Sequence, residues 1–227
     1  MTPGQLSEVL GEPPEPRGAW VDEAVYVSAV AFKAGGRARE VGEGLAARLR
    51  GLRGVGEVRV RGAGFVEIVV TVPGEVVREI VAGGPQGGKS EVCRRQWSDL
   101  PRTWENPGFV VRYAYFRACA VQRWAHDLGV RREPFRAEEL VDRRDRAVVR
   151  ALAEVAGRRV SREPGWAAYL ERLAMVYHDA HEGASAVPQG DETGTELHTA
   201  RLWLAEAVRV VLEEGLSRLG EPLPGRM

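Results

Sequence analysis

Hydrophobic residues recur along this chain with two periods, and the points where the period changes delimit its elements. Residues 1–19 are dominated by Pro, Glu and Gly and predict at most one short helix, from Pro3 to Leu10. Trp20 to Ala34 reads as a helix with Val25, Val27, Ala29, Val30 and Phe32 apolar, broken by Gly35-Gly36. Ala38 to Leu52 is a second helix that buries Val41, Leu45, Ala46 and Leu49 and stops ahead of Gly54. The period then drops to two. Gly56 to Arg61 places Val58 and Val60 on one side and Glu57, Arg59 and Arg61 on the other, which predicts a strand. Gly62-Ala63-Gly64 turns the chain, Phe65 to Val72 returns as a second strand, and Pro73 opens a short helix to Val81. The expectation for this half is an α+β domain, helices on a small antiparallel sheet, over residues 1–84.

After a Gly-rich linker, the helical period takes over completely. Asn106 can cap a helix, and Pro107 suits its first position because the missing N–H would be unpaired there anyway. Phe109, Tyr113, Phe116 and Ala120 then recur at helical spacing and predict one apolar face, with Tyr113 and Arg117 four apart on the same side. A flat ring beside a guanidinium fork can seat an unstacked nucleobase. The same pattern also fits a core Tyr next to a solvated Arg. Ala137 to Gly157 reads as a further helix, with Leu140, Val148, Val149, Leu152 and Val155 inward and Arg143, Arg144, Arg146 and Arg150 outward. Glu163-Pro164 opens a third, a loop runs from Gly183 to Gly194, and Thr195 to Leu219 forms the last. Residues 104–227 are therefore expected to be an all-α helical bundle, joined to the first half by a linker over 85–103.

The Asn106–Trp124 stretch resembles the opening of the DALR-type anticodon-binding domain of arginyl-tRNA synthetases, approximately N-P-x-F-x-V-Q-Y-A-H-A-R-I-C. Asn106, Pro107, Phe109, Val111, Tyr113, Ala114, Arg117 and Cys119 keep the pattern, while Arg112 replaces Gln and Tyr115 replaces His. The third helix, from Trp166 through Tyr177, and ARLWLAEAVRVVLEEGLSRLG in the last are similar to the corresponding family segments. The resemblance implies that Tyr113 and Arg117 contact an anticodon base. The terminal Met227 would pack beside it, as the last residue of the family's P-E-R-M ending does. Residues 26–70 resemble the synthetases' N-terminal additional domain, ending in a version of V-x-V-x-G-P-G-F-[IL]-N. That implies a D-loop contact through Phe65 and position 67. Here the family's Asn is Glu67, which cannot donate a hydrogen bond and repels phosphate.

Composition narrows the chemistry. The formal net charge is zero, which excludes a generally sticky polycation, but it is unevenly distributed. Residues 106–160 hold 12 Arg against 7 acids, and residues 161–227 hold 6 against 11. Arg112, Arg123, Arg143, Arg144, Arg146 and Arg150 are the candidates for holding tRNA phosphates, which would give register and salt-sensitive affinity. Lys33 and Lys89 are the only lysines. Cys93 and Cys119 are the only cysteines, which fits a reducing cytoplasm, and no secretory leader or membrane-length apolar run is expected.

Two motifs are set aside. Gly83–Ser90 satisfies G-x-x-x-x-G-K-S, but a phosphate loop needs a buried strand before it, and Glu75 to Val81 reads as a helix. His178 and His181 are spaced for a metal pair without a third ligand at the required spacing, and His178 falls on a structural position of the family pattern. In a full synthetase a large catalytic domain sits between the positions of Glu91 and Asn106 and carries H-x-G-H and K-M-S-K-S. None of the four histidines and neither lysine lies in such a signature. The resemblance thus implies a non-catalytic tRNA-binding protein, without cofactor or metal, that holds an arginine tRNA by its anticodon loop. The alternative is a module that docks on a synthetase or on an aminoacyl-tRNA-using enzyme without touching RNA.

Overall fold

The computed structural model describes residues 1–86, 97–163 and 165–223. The first half is an antiparallel four-stranded sheet accompanied by helices, and the second is helical among the described residues. Helix α1 (Pro3–Leu10) starts on a reciprocal cap: Gln5 N–H donates to the Thr2 hydroxyl, and Thr2 N–H to the Gln5 side chain. The sheet has the order β1-β2-β4-β3, formed by Glu15–Arg17, Ala24–Ser28, Phe65–Val70 and Val55–Arg61 respectively. α2 (Ala38–Arg50) and α3 (Glu75–Gly83) complete this half.

The helix expected over Trp20–Ala34 is not formed. Its first part is strand β2, and only Val30–Arg37 coils, as a 3-10 segment. β2 buries Ala24, Tyr26 and Ser28 and leaves Val25 and Val27 half-buried, a period of two that the nearly continuous apolar run conceals. Hydrogen bonding to β1 on one side and β4 on the other decides the matter, and it lies outside the reach of a local reading. Trp20 enters the strand with a left-handed backbone (φ 58°), its indole buried and donating to the Val25 carbonyl at 3.2 Å. β1 itself had no sequence expectation: its three residues are paired in register, Pro16 opposite Tyr26.

In the second half, α4 (Pro107–Asp127), α5 (Arg143–Ala153), α6 (Val155–Val160), α7 (Trp166–Gly183) and α8 (Glu196–Arg218) pack around one core. The single helix expected over Ala137–Gly157 is instead a 3-10 turn followed by α5 and α6. Asp142 is the cause, because its carboxylate accepts from Arg144 N–H at 2.8 Å and so starts a new helix.

The two halves share one hydrophobic core, built largely where α3 meets α8 and α5. Gly74 lies so close to the Ala137 carbonyl that a Cβ there would overlap it. Arg78 donates to the Phe135 carbonyl at 3.1 Å, and Arg150 to that of Gly18 at 2.8 Å. Two buried carboxylates fix the ends of the connection. Glu214 accepts from Gln86 N–H at 3.2 Å and Glu221 from Trp97 N–H at 3.1 Å. The segment before the G-x-x-x-x-G-K-S run is helix α3, as expected, and residues 87–90 of that run lie outside the described residues. Cys93 does as well.

Candidate nucleic-acid interface

Helix α4 positions the site. Asn106 does two jobs: its side-chain oxygen caps Gly108 N–H at 3.0 Å, and its amide nitrogen donates to the carbonyls of Ser98 (3.2 Å) and Pro101 (2.8 Å). The cap thus ties the segment carrying Trp104 to the start of the helix. The side of α4 that enters the core is made by Val110, Val111, Ala114, Ala118, Val121 and Ala125. Phe109, Tyr113, Phe116 and Ala120, expected to be that apolar face, are only half-buried. Small and β-branched residues allow close helix packing, so the aromatic stripe is left beside the core and reaches the surface.

Tyr113 is the centre of this stripe. The Arg117 guanidinium lies 4.5 Å from its ring centroid, and Phe109 stacks on it at 5.5 Å with 15° between the planes. Trp104 and His178 stand 6.1 and 5.4 Å away, and Trp104 meets His178 edge-on at 4.9 Å. Trp104 is 50% exposed. Arg117 donates to His178 Nδ1 at 3.1 Å and to Glu182 at 2.9 Å. A guanidinium only donates, so Nδ1 must accept, and the proton on Nε2 is left for the Val110 carbonyl at 3.0 Å. His178 is therefore a neutral ring, and burial pushes its pKa down. The result is a semi-open cage of four rings and one fixed cation, suited to a planar, electron-rich ligand. Trp104 and His178 were not expected as members. An aromatic residue two places ahead of an Asn-Pro cap was the available signal for Trp104.

The other anticipated residues are dispersed. Arg112 is buried. It donates to Glu221 at 2.7 Å and reaches Asp99 at 3.4 Å, so the expectation that it holds a phosphate gives way to an internal ion pair. Arg150 is likewise spent on Glu154 and on carbonyls of the N-terminal half. Arg144 leans on Asp179 at 3.4 Å, and Arg146 is half-buried with an Nε that finds no partner among the described residues. Arg123 and Arg143 are exposed. Much of the charge asymmetry of the sequence is met by ion pairs within the chain, buried for Arg112 and Arg159 and at the surface for Arg117, Arg136 and Arg144, with acids from residues 161–227. Phe65 and Glu67 lie on the sheet instead. Phe65 is 43% exposed against Phe32 at 4.7 Å and lines a cleft of 720 Å³, and Glu67 pairs with Arg61 at 3.1 Å. Met227 lies outside the described residues. No group of His, Cys, Asp or Glu among the described residues could hold a metal, and none of the described helices is long and apolar enough to cross a membrane.

The family model of the DALR anticodon binding domain matches residues 111–227, more than half of the chain. The chain belongs to the DALR anticodon-binding family. The matched region takes in α5 to α8 and α4 from Val111 onward, so Tyr113 and Arg117 lie within the DALR segment. An arginine–tRNA ligase of Clavibacter sepedonicus is 44% identical over 131 residues, which cover 56% of this chain and 24% of that ligase. The chain thus spans about a quarter of the length of that relative. No solved structure matches it.

The two histidines of α7, His178 of the ring set and His181 one turn on, should also make this DALR domain sensitive to acid. Burial, with Arg117 and His178 nearby, pushes His181 down to about 4 and lowers His178 as well. At these two sites the folded state binds fewer protons than the unfolded chain below pH ~6.5, so their contribution to stability falls as pH drops from ~6.5 to ~4. Asp145 acts the other way: burial raises it to about 6, so between pH ~6 and ~4 its protonation favours the fold. The histidine contribution is isolated by comparison. His181→Gln should show a shallower loss of urea midpoint than the parent between pH 7 and 4, and parallel curves would refute the assignment.

Proposed function

We propose that this chain is a non-catalytic tRNA-binding protein that holds the anticodon loop, with an arginine tRNA as its cognate ligand. The observation that carries the reading is the Tyr113–Arg117 pair, with the guanidinium held 4.5 Å over the ring at a half-exposed edge of the bundle. Bases of a single-stranded loop can be splayed out and stacked there, which duplex geometry prevents. The family supports the anticodon loop as ligand, and the ligase relative supports arginine as the amino acid. The lack of H-x-G-H and K-M-S-K-S signatures in the sequence supports a role without amino-acid activation.

Two substitutions relative to the family pattern that would speak for a docking module have packing explanations. Arg112 is matched by the buried carboxylate of Glu221. Tyr115 turns toward Arg209 and Cys119, on the side of α4 away from Tyr113. Neither touches the ring cluster.

The test is binding of tRNA anticodon variants by the full chain across a salt series. Arginine anticodons should bind best, and equal affinity for all anticodons would reduce the activity to electrostatics. With Arg123 and Arg143 exposed and Arg144 and Arg146 half-buried, two to four phosphates can be neutralised. The log–log salt slope should therefore lie between about −1.4 and −2.8, shallow for an RNA-binding protein.

A further inference from the structure

The face of α4 that carries Tyr113 continues past the cage. Trp124 is eleven residues further on, three turns at 3.6 residues per turn, which returns it to within about 20° of Tyr113 around the helix axis. Arg117 falls between them on the same face. The indole of Trp124 is 47% exposed, and the core-facing positions next to it are taken by Val121 and Ala125. His181 of α7 lies beside it, ring centroids 6.4 Å apart and planes 34° from parallel, and Leu128, one turn on, is 55% exposed. His181 also touches Tyr177, which anchors it to the bundle at 6.0 Å. Arg123, the adjacent residue, is exposed. A large flat ring half in solvent and backed by a second ring repeats the stacking part of the Tyr113 cage, and the charge of Arg117 reaches His181 behind it.

We propose that Trp124, backed by His181, is a second stacking seat for the same single-stranded RNA, serving a different nucleotide from the one at Tyr113. The inference rests on the anticodon-loop reading above. At about 1.5 Å of rise per residue the two seats stand about 16 Å apart. Nucleotides stacked at ~3.4 Å would put about five steps between them, and fewer once the bases splay apart. One base cannot occupy both seats, and Arg117 lies on the same face between them. His181 is held neutral at physiological pH by burial and by the nearby Arg117 and His178, so it presents an uncharged ring behind the indole. A stacking seat reads no base edge, so this position should add affinity without adding anticodon preference.

The experiment uses the full chain and an arginine tRNA anticodon stem-loop transcript in which each loop nucleotide is made abasic in turn. The parent protein should lose affinity at two separated loop positions. Trp124→Ala should weaken binding of the intact loop about 5- to 10-fold and erase sensitivity at one of those positions, leaving the other to Tyr113. Trp124→Phe should remain within about threefold of the parent, because a smaller ring still stacks. One sensitive position in the parent, or Trp124→Ala binding every transcript as the parent does, would overturn the second seat. If Tyr113→Ala still weakens binding in that case, the anticodon-loop reading stands without it. If Tyr113→Ala is also silent, both are lost.

Discussion

Tyr113→Ala should weaken binding of the anticodon stem-loop by about 1–3 kcal/mol, a factor of roughly 5 to 150, while the helical circular dichroism stays unchanged. Two losses combine. The base gives up its stacking surface, and Arg117 gives up the ring that holds its guanidinium plane. Arg117 remains tied to His178 and Glu182, so it should not collapse elsewhere, and the fold should survive because Tyr113 is not part of the buried side of α4. Tyr113→Phe should stay near the parent, since stacking needs the ring and not the hydroxyl. A fluorescence-anisotropy titration decides the matter: parent-like affinity in Tyr113→Ala would mean that the cage is only structural.

The largest effect on stability should come from Glu214→Ala, about 3 kcal/mol of unfolding free energy, read by urea denaturation. Glu214 is fully buried on α8 and accepts from Arg159 (3.1 and 2.7 Å), Arg218 (3.1 Å) and the backbone of Gln86 (3.2 Å). Its removal leaves two mostly buried guanidinium groups facing each other, and repulsion is added to a lost backbone anchor. The estimate sits at the lower end for broken buried pairs because both arginines keep some solvent. Glu214→Gln, which retains an acceptor, should cost less. A change within about 0.5 kcal/mol, the usual range for a surface site, would show that the network is not stabilising.

Particular residues show how far the sequence could be read. The helices of the second half were legible because long amphipathic periods and the Asn106-Pro107 cap are local signals, and the cap forms as expected. Trp20 to Ala34 was misread because four of the five residues of β2 are apolar, and only pairing with β1 and β4 reveals the alternation. The break at Asp142 was hidden because the apolar period runs through it, while the carboxylate that starts α5 is one residue among many polar ones. For the candidate site, the contact between Tyr113 and Arg117 was legible from their spacing. Trp104 and His178 were not, because they reach Tyr113 across the fold. Nor was the fate of the arginines. Sequence counts charge, but burial and partners decide whether Arg112 meets a phosphate or Glu221.

Gln86 and Trp97 are each tethered to the helical half by a carboxylate, at Glu214 and at Glu221. One tether is on α8 and the other just past its C-terminal end, so both sides of the span are held by the same end of the helical half. The seating of the sheet on the bundle is thus reinforced on both sides of that span by hydrogen bonds from backbone amides to ionised carboxylates, which are stronger than neutral ones.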